Sequence, residues 1–178
     1  IGGNEIRTEK EIRSINPSNI EEVVGLVSSA TPEHADQAVR AASAAFPAWS
    51  RTTFAERARI LWRAAAIMRR RRFELNATMI LEAGKTWIEA DADTAEAIDF
   101  CDFYAHEAIR YGQPQCLIPT EGEDDEVTYI PLGPVVVIPP WNFPLAITTG
   151  MTVAALVAGN TVVLKPASPT PIIAYKLF

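Results

Sequence analysis

The chain has 178 residues, 48% of them hydrophobic, and 16 Lys and Arg against 22 Asp and Glu, for a formal net charge of −6. A chain of this length can bury roughly 70% of the surface its unfolded form exposes, so a core needs neither disulfides nor a metal, and both a disordered tail and a disulfide scaffold are excluded. The acidic balance argues against a nucleic-acid binder, which would need a net basic footprint.

From the start, apolar and polar residues alternate around Asn4 and Thr8–Lys10 and again over Glu22–Ser28, which predicts a hairpin and strand at an edge. Thr31-Pro32-Glu33 supplies an N-cap, a proline at the first helical position and a first-turn acid, so a helix is expected from there to about Phe46. Thr53 and Glu56 have capping-box spacing, and good helix formers continue from Ala55 to Ala83, where Gly84 ends the run. The expectation is one long helix with room for a break. Thr86 and Glu89 repeat the box, and Ile88, Ala92, Ala95, Ile98 and Cys101 or Asp102 step round a further helix that ends near Tyr111-Gly112.

Beyond Gly112 the β-type runs Gln115–Ile118 and Val127–Leu132 flank the acidic stretch Glu121–Glu126, which predicts a second hairpin. Val135–Ile138 and Thr161–Leu164 are continuous apolar runs on either side of an apolar helix, Leu145–Ala158, closed by Gly159-Asn160. That is the pattern of a βαβ unit with strands buried on both faces. The fold class is therefore α/β, a parallel sheet flanked by helices with β-hairpin excursions. Ligands of such sheets bind at the carboxyl ends of the strands, here the loops 139–144 and 165–170. The chain stops at Leu177-Phe178 soon after a helix starts, so it is expected to be a fragment.

The loop Pro139-Pro140-Trp141-Asn142-Phe143-Pro144 holds one carboxamide between stiffening prolines. Asn142 reads in two ways: as a donor to an oxygen that gains charge in a reaction, or as the cap of the helix starting near Leu145. Lys165-Pro166-Ala167-Ser168 follows the next strand, where Lys165 can meet ribose hydroxyls or phosphate, or else be solvated while Ser168 or Thr170 caps the helix at Pro171. His34 and His106 have no second His or Cys at ligand spacing, so no metal site is expected. Cys101 and Cys116 have no neighbouring base and read as core or semi-buried residues of a reducing compartment. The basic run Arg69–Arg72 reads as a solvated or inter-subunit face. No apolar run of 18 residues and no signal peptide occur, so a soluble cytoplasmic protein without membrane partners is expected.

Taken together, Ile138-Pro139-Pro140-Trp141-Asn142-Phe143-Pro144 and Gly159-Asn160-Thr161-Val162-Val163-Leu164-Lys165-Pro166-Ala167-Ser168 resemble the aldehyde dehydrogenase superfamily. Ala48-Trp49, Glu56-Arg57, Leu81–Lys85 and Glu89-Ala90-Asp91 are placed as that superfamily places them, so the resemblance covers the whole chain. Within it, Glu89–Asp93, Glu96–Cys101 and the Pro139-Pro140 doublet look like the bacterial 1-pyrroline-5-carboxylate dehydrogenase branch, which oxidises L-glutamate γ-semialdehyde to glutamate in proline and arginine catabolism.

The resemblance implies that a cysteine thiolate attacks the aldehyde, that hydride passes to NAD, and that water hydrolyses the resulting thioester. Asn142 would donate to the thiohemiacetal oxyanion. Ile138, Pro139, Pro140 and Trp141 would line the cofactor cleft, Lys165 would bind ribose hydroxyls, Phe143 would face the substrate tunnel, and Glu96 would lie near the substrate. Many NAD-preferring relatives carry Glu where this chain has Ser168, which removes a barrier to NADP, so NAD with NADP tolerated is expected. The family's nucleophilic cysteine and general-base glutamate belong to later segments and do not transfer to Cys101 or Cys116, so the chain alone is expected to be inactive. It would be an incomplete cofactor-binding region, 1–178, with the segment 113–132 starting an oligomerisation hairpin of a homo-oligomer. The alternatives are a succinate-semialdehyde or other aldehyde dehydrogenase, and a non-catalytic binding or assembly fragment.

Overall fold

The computed structural model describes residues 1–178. The elements run β1 (Glu11–Asn16), β2 (Asn19–Ser28), α1 (Pro32–Trp49), α2 (Phe54–Arg70), α3 (Arg72–Ala83), α4 (Trp87–Tyr111), β3 (Pro134–Val137), α5 (Ala146–Val157), β4 (Thr161–Leu164) and α6 (Pro171–Tyr175).

The strands β1 and β2 form an antiparallel hairpin in which Glu11 pairs with Ser28 and Asn16 with Asn19. Its turn is set by Asn16, whose Oδ1 accepts from the Ser18 N–H at 2.9 Å. The predicted caps of α1, α2 and α4 all form. Thr53 and Thr86 each close a capping box with the glutamate three residues on, while in α1 the ring of His34 takes that place, its Nδ1 accepting from the Thr31 N–H at 3.1 Å. The helix α1 runs past its expected end at Phe46 to Trp49, whose indole N–H reaches the carbonyl of Leu156 at 3.1 Å. Tertiary contact thus sets its length.

The expected break in the long helix falls at Arg71, with φ −94° and ψ 10°. Three of the four arginines of the basic run there pair within the chain, Arg69 with Asp102, Arg71 with Glu74 and Arg72 with Asp91, while Arg70 stands exposed. In α4 the expected stripe holds from the middle of the helix, where Ile98 and Cys101 are buried, and fails in its first turns, where Ile88 is 83% exposed and Ala92 is exposed. The inner face runs through Ala90, Asp93, Ala97, Ile98, Cys101, Ala105 and Ala108. Small side chains let α4 lie close between α2 and α5, where area alone does not reveal the buried stripe. The same closeness requires Gly150 of α5, since a Cβ there would come within 2.9 Å of the Phe100 ring. Leu61, Met68, Leu75, Met79, Leu145 and Ile173 fill the core between the helices, each contributing on the order of 1.5–3 kcal/mol by leaving water.

The βαβ unit is present: β3 and β4 are parallel, with Val137 opposite Leu164, and the Lys165 N–H to Val137 carbonyl bond at 2.9 Å extends the ladder. The Thr161 hydroxyl ties this unit to α1 through the Ala42 carbonyl at 2.9 Å.

The expected second hairpin does not form. Residues 113–132 contain no paired strand, and Ile118, Ile130 and Leu132 are 89%, 74% and 90% exposed. The turn expected there is present, with the Glu123 N–H meeting the Thr120 carbonyl at 3.2 Å, but the flanking runs do not pair. They are anchored where Tyr111 meets Tyr129 edge to face and where Asn160 Oδ1 accepts from the N–H groups of Leu132 (2.7 Å) and Gly133 (3.1 Å). Cys116 lies in this run and is exposed, which corrects its expected burial; Cys101 is fully buried.

Candidate functional site

Because β3 and β4 are parallel neighbours in register, the loops 139–144 and 165–170 leave the same edge of the sheet. Within the first loop Pro139 is buried and Pro140 exposed. The carbonyls of Phe143 and Pro144 accept from the Ile147 N–H at 3.1 Å and the Thr148 hydroxyl at 2.5 Å. Ile138, Trp141 and Phe143 remain 61%, 59% and 42% exposed, which is a large apolar surface for one short turn. Asn142 is exposed, and its side chain does not cap α5, because the residue at the N-cap is Leu145 and it makes no side-chain cap bond. The capping alternative for Asn142 is therefore removed.

The cap of α5 comes from another helix. Asp93 of α4 is fully buried, and its Oδ1 accepts from the Ala146 N–H at 2.6 Å, where the helix dipole favours a carboxylate. Its Oδ2 makes no well-directed hydrogen bond but has Lys85 Nζ at 2.9 Å. Burial pushes the Asp93 carboxyl up, while Lys85 and the backbone N–H groups of Ala146 and Leu145 oppose the shift. The same Nζ stands 4.3 Å from the centre of the Phe143 ring. Lys85 enters the site because Gly84, at φ 68°, ends α3 in a left-handed turn.

A cleft of about 360 Å³ opens between this turn and the loop, lined among others by Lys85, Glu89, Trp141, Asn142 and Phe143. Glu89 serves the α4 capping box there, and its bonds to Thr86 hold its carboxyl low. A smaller apolar cavity of about 170 Å³ lies between α4 and α5, beside Phe100, Tyr104 and Met151.

The second loop is held by an analogous device. Glu82, at the end of α3 and 4% exposed, accepts from the N–H groups of Ile172 and Ile173, both at 2.8 Å, and from the Ser14 hydroxyl at 2.7 Å. The cap expected from Ser168 or Thr170 is thus supplied from outside the segment, and neither side chain caps α6. Burial raises the Glu82 carboxyl against these three donors.

The structure thus brings Trp141, Asn142 and Phe143 into one cleft, with Ile138, Pro139 and Pro140 leading into it, while Lys165 and Ser168 stand exposed at the neighbouring strand end. Glu96 is exposed on α4, one turn beyond the cleft residue Ala92, and does not line it. Cys101 is unsuited to attack an aldehyde, since burial pushes its thiol up to about 12. Sequence reasoning assigned no role to Lys85, Asp93 or Glu82. The available signal was a carboxylate at helical spacing within the alanine stripe Ala90–Ala97–Ala105, where only a paired charge can sit. No group of three or more His, Cys, Asp or Glu is placed to hold a metal ion, and no helix is long and apolar enough to cross a membrane.

A parallel βαβ unit with a rigid, carboxamide-bearing loop at its carboxyl edge defines an α/β protein with a ligand cleft at the strand ends. The family model for the aldehyde dehydrogenase family matches residues 5–178, and the chain belongs to that family. It is 55% identical over 176 residues to 1-pyrroline-5-carboxylate dehydrogenase 2 of Bacillus subtilis and 54% identical to the 1-pyrroline-5-carboxylate dehydrogenase of Geobacillus thermodenitrificans, matching 99% of this chain and 34% of each relative. Among solved structures it superposes on a Thermus 1-pyrroline-5-carboxylate dehydrogenase with bound NAD at a TM-score of 0.95 and 48% identity, covering all of this chain and 35% of that one. An E. coli NADP-dependent enzyme aligns at a TM-score of 0.89 and 35% identity, over 99% of this chain and 37% of that one. The chain therefore spans about a third of the length of the relatives it matches.

Proposed function

We propose that this chain is the cofactor-binding portion, residues 1–178, of a longer cytoplasmic dehydrogenase that oxidises L-glutamate γ-semialdehyde, the open form of 1-pyrroline-5-carboxylate, to L-glutamate. The observation that carries the reading is Asn142, which is exposed on a braced loop at the carboxyl edge of a parallel sheet and shares a cleft with Trp141 and Phe143. The identity to enzymes named for that substrate supports the choice of aldehyde.

Exposed apolar surface at Ile138 and Trp141, beside an exposed lysine at the next strand end, fits a dinucleotide. Ile138, Pro139, Pro140 and Trp141 would shape the cleft, Pro139 from beneath, with Lys165 on the ribose hydroxyls and Ser168 beside them. NAD, when bound, supplies the hydride acceptor. The side-chain N–H of Asn142 donates to the oxygen of the aldehyde as it becomes an oxyanion, and because the loop is already braced the donor needs no reorganisation during the reaction. Phe143 borders the aldehyde, and Glu96, one turn along α4 from the cleft residue Ala92, would lie near the substrate without lining the cleft itself. The attacking thiolate and the general base come from residues outside this chain, which by itself is inactive. A hydroxyl at Ser168 leaves room for the 2′-phosphate, so NADP is tolerated. The exposed apolar run 113–132 would complete its pairing against another copy in a homo-oligomer, where its edges find partners.

The test is NADH formation by the full-length enzyme on 1-pyrroline-5-carboxylate against succinate semialdehyde. A higher kcat/KM on the first is expected; preference for the second would transfer the reading to that substrate.

A further inference from the structure

We propose that Lys85 and Asp93 are positioning residues for Asn142: the pair fixes the loop 139–144 from α4 and the α3–α4 turn, so that the carboxamide keeps its aim into the cleft. The proposal rests on the donor role given to Asn142 above.

The loop is gripped on both sides of its working residue. On the carboxyl side, Asp93 Oδ1 takes the Ala146 N–H at 2.6 Å and sets where α5 begins, four residues after Asn142. Next to Asn142 itself, the Lys85 ammonium stands 4.3 Å from the Phe143 ring centre. The two grips are coupled, because Lys85 Nζ and Asp93 Oδ2 are 2.9 Å apart with side chains 10% and 0% exposed. A buried ion pair is a weak source of stability, since removing both charges from water offsets most of their attraction. What it adds is fixed geometry: a planar carboxylate with one oxygen on a helix end and the other on a cation permits one arrangement of the three segments. Glu82 is the internal control. It caps α6 in the same manner, but the loop that it holds carries Lys165 rather than Asn142.

The test compares Asp93→Ala, Lys85→Met, Asn142→Ala, Glu82→Gln and the double variant Asp93→Ala/Asn142→Ala in the full-length enzyme, with folding checked by circular dichroism. Displacing a donor by about an ångström costs on the order of 10²-fold, so Asp93→Ala and Lys85→Met should each lower kcat by about 10²-fold with the cofactor KM within about twofold. On the Asn142→Ala background the Asp93→Ala change should cost less than about threefold more, because both act through one interaction. Glu82→Gln, whose loop carries the cofactor lysine Lys165, should act through the cofactor KM and the thermal midpoint, and its effect should add in full to that of Asn142→Ala. Equal losses from Asp93→Ala with and without Asn142 would overturn the proposal, as would an unchanged kcat in a folded variant. If Asn142→Ala alone leaves kcat intact, the donor reading itself falls and this proposal with it. Should Asp93→Ala not fold, Lys85→Met carries the test, since the cap on Ala146 remains. A rise in KM for the charged semialdehyde but not for a neutral aldehyde, at unchanged kcat, would make Lys85 a substrate contact instead.

Discussion

Arg57 Nε donates to the carbonyl of Val157 at 2.7 Å, so a buried cation of α2 closes the carboxyl end of α5 a hundred residues further along the chain. The guanidinium is 2% exposed and has no carboxylate across from it; its other contacts are the carbonyl and hydroxyl of Thr52 and the face of Phe54, 4.6 Å from the ring centre. Burial lowers its basicity, though an arginine stays charged. The carbonyls at a helix end carry partial negative charge, and they take the place of the missing carboxylate.

Arg57→Met should therefore destabilise the fold by about 2–4 kcal/mol, the cost of leaving buried carbonyls without their charged donor. Arg57→Lys should recover only part of this, because one ammonium cannot span Val157 and Thr52 as a planar fork does. Urea unfolding midpoints read both; a loss for Arg57→Met within about 0.5 kcal/mol, the range of ordinary surface changes, would show that the carbonyls are satisfied without it.

Asn142→Ala should separate chemistry from folding. Its side chain is exposed and caps nothing, so unfolding free energy should stay within about 0.5 kcal/mol. Turnover of the full-length enzyme should fall by about 10²–10³-fold, as for loss of an oxyanion donor. A stability loss matching the activity loss would mark Asn142 as structural.

Ser168→Glu should shift cofactor choice. A carboxylate at this exposed position would repel a 2′-phosphate and lower NADP use relative to NAD by roughly tenfold, with NAD turnover little changed. Cofactor kcat/KM ratios measure this, and an unchanged ratio would place Ser168 away from the ribose.

Two carboxylates should give opposite pH slopes. Glu74, bonded to Arg71 and Lys176, is held down to about 2 from 4.5, so its contribution is present above the ordinary carboxylate range and is lost as pH falls toward the folded value. Glu74 is 43% exposed, and salt should shrink the effect. Glu82 is raised by burial, so its contribution is full below the ordinary range and is lost as pH rises through the folded value. The Glu74→Gln penalty should thus grow with pH, while the Glu82→Gln penalty shrinks. Urea midpoints from about pH 3 to 7 decide it; parallel slopes would contradict the assignment.

Much of this protein was readable along the chain because local groups specify local events. Thr31, Thr53 and Thr86 each start a helix where their own side chains or the residues three positions on satisfy free N–H groups. Two four-residue apolar runs about an apolar helix leave little alternative to a parallel βαβ unit, and the proline-bound Trp141-Asn142-Phe143 stands out at its carboxyl edge. The opposite limit is the run 113–132, whose strand-like composition was legible while its lack of a partner strand was not.

By itself, then, the sequence determined the helix starts, the βαβ unit and the loops that a ligand meets, because caps, turns and periodicity act over a few residues. Only the tertiary structure decided that Ile88 and Ala92 in the first turns of α4 face outward, and that Asp93, Glu82 and Arg57 complete the ends of helices distant in sequence. The free N–H and C=O groups at a helix end demand a partner. Which residue supplies it is set by proximity across the packed core, and no local pattern carries that information.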